Sequence, residues 1–444
     1  MSTLKSFIIV GGGASGVLLA AQLLNSGDPE LRVTLVEKSG TFGQGLAYST
    51  QLDDHLLNAC AHLMSAYPDQ PDHFWGWLSQ RTRLPDGDAP VFAPRRLYGE
   101  YLGEIVAGLA EREPVRLRLL DGFAVSVTSN ASGVEVKLAS GASLVGHAVV
   151  LAAGHDLEPA SELAFAVRPG SDADTPLLPD AGVLILGTGL SMVDAWLALK
   201  ANGHRGPVTA LSRRGLLPAP HRPGKPLRLD SADVPLGTDL SYFVDWFRDL
   251  VRDHEKAGGN WRDVVDGIRP FNQRIWQSWP IYARRRFLEH TKAWWEIHRH
   301  RMAPAIHARL VEAIESGALR LIAGRLLDAK PSPDGYVARI QPRRRSAIEE
   351  IPVARIYDCT GIVKDVASGS ITVVRALIDR GLARNDPLRV GLDVTVDCAV
   401  IDASGKASDK IFAIGPLTRG TFFEIDAVPE IRVQAARLAA RLTG

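Results

Sequence analysis

The sequence predicts an α/β fold in which one structural unit is used twice, with a helical insertion in the second copy. Three observations support this. Two glycine-rich turns each sit between a short apolar strand and a helical stretch, at Gly11–Gly16 and Gly187–Ser191. Two apolar strands further along each unit end in glycine, at Gly154 and Gly361. A tryptophan-rich stretch of helical pattern, about residues 220–312, separates the parts of the second unit.

Phe7-Ile8-Ile9-Val10 is a short, continuous apolar run, the pattern of a strand buried on both faces. It runs into Gly11-Gly12-Gly13-Ala14-Ser15-Gly16, then a helical pattern ending near Asn25 and Gly27. Val33–Val36 is a second strand ending at Glu37, which completes a βαβ unit. Residues 115–150 read as an antiparallel meander around the Asn130–Gly133 turn. The strand Ala148–Leu151 leads to Gly154.

The order then repeats. Val183–Leu186 is a strand, followed by the glycine turn and a helix from about Met192 to Ala201. Val208–Leu211 is a strand ending in Ser212-Arg213-Arg214. Residues 326–342 read as a hairpin turning at Pro333-Asp334-Gly335, and Arg355–Asp358 leads to Gly361. Residues 155–180, with Pro159, Pro169, Gly170, Pro176 and Pro179, read as a linker. The tail from about 385 has strand-like stretches at 390–397, 399–405 and 410–415. A last helix runs from about Val428 to Leu442. A repeated unit says more than either motif alone.

Bulk properties exclude several classes. A chain of 444 residues can bury several cores without disulfide staples. The net charge of +1, with no basic stripe interleaved with aromatics, gives no support to a nucleic-acid partner. Cys60, Cys359 and Cys398 are far apart and form no CxxC pair, which fits a reducing cytoplasm. No stretch approaches the ~20 apolar residues of a membrane span, and the first residues do not read as a signal peptide.

In a GxGxxG turn the first glycine permits a tight turn. The second lets backbone approach a pyrophosphate, and the third lets helix and strand pack closely. Gly11, Gly13 and Gly16 fill these places. Ala14 and Ser15 open the helix, whose free N–H groups face the phosphates. Glu37 can accept hydrogen bonds from a ribose diol, with Lys38 beside it. In the second unit Gly187, Gly189, Leu190 and Ser191 form the turn, but Met192 stands in the third glycine's place. Ser212, Arg213 and Arg214 replace the acid there. Guanidinium groups can fork onto a 2′-phosphate, which points to NADP(H); a solvated basic loop is the alternative.

With these residues in view, the chain resembles two-dinucleotide-binding-domain flavoproteins, with the organisation of class B flavin monooxygenases. It is more closely similar to the bacterial FAD-NAD(P)-binding protein family. IIVGGGASGVLLAAQLL, GQGLAYST, ALSRRGLLPAPH, HRHRMAP and IGPLTRGTFFEIDAVPEIRVQA carry the resemblance, which covers nearly the whole chain. It implies two Rossmann-like dinucleotide-binding domains, the second inserted into the first. Residues 1–165 and 351–444 would form a split FAD domain, and 178–350 an NADP domain holding the insertion at 220–312. It also implies that Gly154 and Gly361 mark the crossings between domains. Gly45, Tyr48, Asn58 and Val125 are read as further cofactor contacts, with a plain turn the alternative at Tyr48. Gly415 falls at a flavin-phosphate position where many relatives have Gly-Asp; here Pro416 follows it. The helix beginning at Val428 would aim its N-terminus at the flavin.

The resemblance and the missing CxxC together suggest an NADPH-dependent monooxygenase. It would use O₂ and a small nucleophilic substrate, an amine or amino-acid-like molecule. The alternatives are an NADPH dehydrogenase or oxidase, and a non-catalytic flavin-binding redox sensor. Candidate catalytic residues are Asn58, beside flavin N5 or simply in a turn, and Glu424, orienting flavin or substrate or forming a salt bridge. Arg95, Arg96 and Arg284–Arg286 are either carboxylate anchors or solvated charges. His298 and His300 diverge on a helix, and no metal is expected.

Overall fold

Both glycine-led strands lie at the centre of parallel sheets in the computed structural model, which describes residues 4–84, 90–156, 163, 165–171, 174–361 and 365–444. Pro159, part of the expected linker, lies outside the described residues.

The first sheet has six strands in the order Ala399–Ile401, Ala407–Ala413, Ala148–Leu151, Lys5–Val10, Leu31–Glu37 and Leu117–Asp121. All neighbours run parallel except the first pair. Phe7, Ile8, Ile9 and Val10 are all buried, as a strand covered on both faces requires. The helix Ala14–Asn25 packs against the helices Arg95–Arg112 and Val428–Thr443, so the chain's last elements return to its first sheet. A three-stranded antiparallel sheet, 124–130, 133–138 and 143–146, accompanies this unit.

The second sheet runs Glu349–Val353, Gly335–Pro342, Leu319–Ser332, Val208–Ser212, Val183–Leu186 and Arg355–Asp358. Its last four strands are parallel, and the first three are joined by antiparallel pairing. The long Leu319–Ser332 strand therefore belongs to both halves.

The insertion begins as irregular chain and becomes helical at Leu240–Lys256. Trp276 and Trp279 are buried with Phe243 and Phe287 in its own aromatic core. This core docks on the segment before the last helix. Trp276 Nε1 donates to the Gly420 carbonyl at 2.9 Å, and the Phe423 N–H donates to Gln273 Oε1 at 2.9 Å.

Two expectations need correction. Leu117–Asp121 is not part of a meander: it pairs parallel with Leu31–Glu37. Residues 390–397 form no strand but only the isolated bridges Asn385–Leu392 and Val394–Val400. The reason is local. The Asp386 carboxylate accepts from the N–H groups of Leu388, Val390 and Gly391, and Thr395 Oγ1 accepts from Asp397 and Ala399. Side chains thus take N–H groups that a ladder needs. Among the described residues no helix is long and apolar enough to cross a membrane.

Candidate functional site

The first glycine turn is closed by backbone on three sides. Gly11 has φ +111°, and a Cβ there would stand 2.4 Å from the Ala152 carbonyl oxygen. A Cβ on Gly16 would stand 1.9 Å from the Gly11 oxygen, so helix and strand meet without room for a methyl group. Gly13 differs: a Cβ there would sit 3.4 Å from Gly45 Cα, in ordinary contact. It caps the helix with no side-chain hydrogen bond, so the N–H groups of the first turn, Ala14 and Ser15 included, remain available to a ligand. Gly415 has φ +67°, and a Cβ on it would lie 2.3 Å from Ser15 Oγ. The fold thus gathers Gly13, Ser15, Gly45 and Gly415 into a cradle of bare backbone at a helix N-terminus. That cradle fits a pyrophosphate.

Glu37 is fixed at the rim. Its Oε2 accepts from the Gly12 N–H at 2.7 Å, and its Oε1 accepts from Ser39 N–H and Oγ at 3.0 and 2.9 Å. Oε2 keeps a lone pair for a ribose hydroxyl. The Glu37 carbonyl accepts from Gly122 N–H, which sets Val125 three residues beyond the same edge. Lys38 is exposed. Gly154, φ +72°, has open space where a Cβ would be.

The second turn repeats this geometry. Gly187 has φ +109°, and a Cβ there would meet the Cys359 oxygen at 2.3 Å, as Gly11 meets Ala152. Gly189 caps the helix Leu190–Ala201, again without a side-chain bond, and nothing lies within 4 Å of its would-be Cβ. Leu190 and Ser191 form the open first turn. Met192, at the third glycine's place, is fully buried in the core beneath. Thr188 Oγ1 lies 2.8 Å from Ser212 Oγ, which also accepts from Gly215 N–H at 2.9 Å. Ser212 thus holds its turn as Glu37 holds the first.

Arg213 and Arg214 have different surroundings. Arg214 leans onto the insertion, its Nη2 donating to the His290 carbonyl at 3.2 Å and its guanidinium 5.5 Å from the Trp294 ring centre. Arg213 is exposed and lines a cavity of about 450 Å³ with Arg325, Arg343, Arg344 and Arg345.

Between the units the chain assembles charged groups from distant segments. The Asn58 carbonyl accepts from His221 Nε2 at 2.9 Å, joining the first unit's loop to the start of the insertion. Burial pushes His221 down to about 4, against the pull of that bond. Burial likewise pushes His155, which follows Gly154, down to about 4. Its buried Nδ1 has no hydrogen-bond partner among the described residues. Desolvation pushes the Asp426 carboxyl up, but the charges of His300, His155 and Arg419 prevail and hold it below the usual range. Tyr48 is raised by burial, opposed by Arg95, with Asp426 adding to the rise. Asp426 is thus within electrostatic reach of His155, Arg419 and Tyr48. Sequence reading named only Tyr48 of these. The one available signal for His155 was its place directly after the strand-ending glycine.

Glu424 is held by three donors from the insertion. Its Oε1 accepts from Trp295 Nε1 at 2.6 Å, and its Oε2 accepts from Asn272 Nδ2 at 3.0 Å and Arg299 Nε at 3.1 Å. Arg299 also lies 3.7 Å from Glu430, which pairs with Arg269 at 2.8 Å. Arg299 and Arg301 of the HRHR tract are thus paired with carboxylates distant in sequence. Arg95 pairs with Asp194 at 2.7 Å across the units, and Arg284 donates to the Trp279 and Gln277 carbonyls. Val428, buried, opens the last helix, whose N-cap Ala427 offers no side-chain bond. The Gly361 carbonyl accepts both Nη atoms of Arg168 at 3.0 Å.

Two Rossmann-like units, each with an open glycine turn, define the class of fold. Residues 8–156 match the FAD-NAD(P)-binding family, so the first unit is an FAD-NAD(P)-binding domain. By fold the chain is similar to L-lysine 6-monooxygenase from Pseudomonas syringae, with 17% identity, TM-score 0.65 and 99% of each chain covered. An ornithine N-hydroxylase from Kutzneria sp. 744 superposes with TM-score 0.63 at 14% identity, over 100% of this chain and 99% of that one. Lactococcus lactis thioredoxin reductase superposes with TM-score 0.55 at 14% identity, over 99% and 98%. Comparison with curated proteins by sequence finds no match.

Proposed function

We propose that this protein is an NADPH-dependent flavin monooxygenase acting on a small nucleophilic substrate, an amine or amino-acid-like molecule. The observation that carries this is the combination of two open glycine turns with cysteines that cannot form a dithiol relay. All three cysteines are free, and burial pushes the thiols of Cys359 and Cys398 up to about 12. The full-length likeness to the lysine and ornithine hydroxylases, one of them holding FAD, NADP⁺ and ornithine, supports the substrate class.

Bound flavin would supply the redox chemistry, taking a hydride from the nicotinamide and passing electrons to O₂. The protein's own residues do the rest. The cradle at Gly13, Ser15, Gly45 and Gly415 holds the FAD pyrophosphate, and Glu37 its ribose. The positive end of the Val428 helix dipole would face developing negative charge. His155 is neutral near pH 7 and has a ring nitrogen free for a proton or a hydrogen bond. Asp426 stays ionised beside it and offers a counter-charge to a substrate cation. Arg95–Asp194 and His221–Asn58 tie the two units together.

The test is turnover with NADPH, O₂ and a panel of amines that includes L-ornithine and L-lysine. The reading expects at least one amine to give a hydroxylated product in step with NADPH consumed. Peroxide as the sole product with every amine points to an oxidase instead.

A further inference from the structure

We propose that Arg213, Arg325 and the turn Arg343–Arg345 form a clamp for a phosphate monoester, the 2′-phosphate of the NADPH adenosine. This rests on the reading of the second unit as the nicotinamide-nucleotide site, and it assigns the phosphate to a turn that the glycine motif does not contain.

Topology brings these arginines together. Strands Val208–Ser212 and Leu319–Ser332 run side by side and parallel, with Ser212 opposite Ala323. The parallel pairing therefore ends at one edge, with Arg213 and Gly324-Arg325 just beyond it. That edge is the carboxyl end of parallel strands, where nucleotides bind in open α/β sheets. The Gly335–Pro342 strand then returns antiparallel, with Gln341 opposite Arg325. Arg343 N–H donates to the Ala323 carbonyl at 2.7 Å, which folds the following turn back over the edge. Gln341 Nε2 donates to the Arg345 carbonyl and fixes that turn. Arg344 sits at φ +64°, a left-handed conformation that a long side chain rarely adopts. The result is the cavity of about 450 Å³ whose wall includes all five arginines.

The charge is uncompensated. None of the five forms an ion pair among the described residues, although arginines nearby do: Arg320 pairs with Glu349, and Arg339 pairs with Asp328 at 2.7 Å. Guanidinium groups gathered without a carboxylate repel one another, and a dianion among them removes that cost. Their forked donors also match phosphate oxygens better than any neutral group. Arg214, the other expected partner, is turned toward Trp294.

The experiment measures binding of 2′,5′-ADP and of 5′-AMP to the flavin-loaded protein. The wild type is compared with the double variant Arg343→Ala/Arg345→Ala, with Arg213→Ala, and with Arg320→Ala as a control outside the cavity. The arginines tested are exposed, so folding is expected to tolerate their loss. The clamp predicts that the wild type prefers 2′,5′-ADP by about 10- to 100-fold, the value of one or two charged hydrogen bonds. That preference collapses in the double variant and in Arg213→Ala, and survives in Arg320→Ala. An undiminished preference in the double variant overturns the clamp while leaving NADPH as the reductant. Absence of any preference in the wild type overturns the clamp and the choice of NADPH over NADH together.

Discussion

Gly13 and Gly16 sit three residues apart, yet a methyl group would meet opposite fates at the two sites. At Gly16 it would lie 1.9 Å from the Gly11 oxygen, so Gly16→Ala must push helix from strand and is expected to cost about 1–3 kcal/mol. At Gly13 it meets only Gly45 Cα at 3.4 Å. Gly13→Ala should leave the apoprotein within about 1 kcal/mol of wild type and still lose flavin, because the methyl stands in the phosphate's approach. Thermal unfolding of the apoproteins and flavin absorbance per chain separate the two; full flavin content in Gly13→Ala contradicts the cradle. Glu424→Ala leaves buried Arg299 with only Glu430 and is expected to cost about 3 kcal/mol. A catalytic Glu424 would instead lose turnover with stability unchanged. The glycines were legible because a tight turn is a local demand written in adjacent residues. The Glu424 network was not, since Asn272, Trp295 and Arg299 reach it from another domain-scale element and leave no spacing to read.

At the scale of elements, the strands and the turns between them followed from apolar runs and glycine. The misread stretches, 117–121 and 390–397, are ones where alternation was present but partners or local side chains decided the outcome. The insertion's helices were visible as a class, but their docking on residues 420–430 was not, because it depends on aromatic shape and not on period. The contact between the first unit's loop and the insertion is pH-sensitive. His221 and His155 both titrate near 4 when folded, against an ordinary 6.5. Between those values the unfolded chain binds protons that the folded chain refuses, so stability is complete above about pH 6.5 and falls as pH drops toward 4. The thermal midpoint should decline from pH 7 to pH 5, and the decline should be shallower in His221→Gln. An equal decline in that variant means that other groups govern the acid transition.

The whole molecule places two nucleotide turns in one chain and joins them through Arg95–Asp194, His221–Asn58 and the docked insertion. The central claim is that these two sites exchange a hydride. It is tested most directly by anaerobic titration of the flavin-loaded protein with NADPH and, separately, with NADH, followed by flavin absorbance. The account predicts rapid bleaching by NADPH, much slower bleaching by NADH at equal concentration, and recovery of the oxidised spectrum when air is admitted. Flavin that stays oxidised with both nucleotides contradicts it, and leaves the chain as a binding or sensing protein.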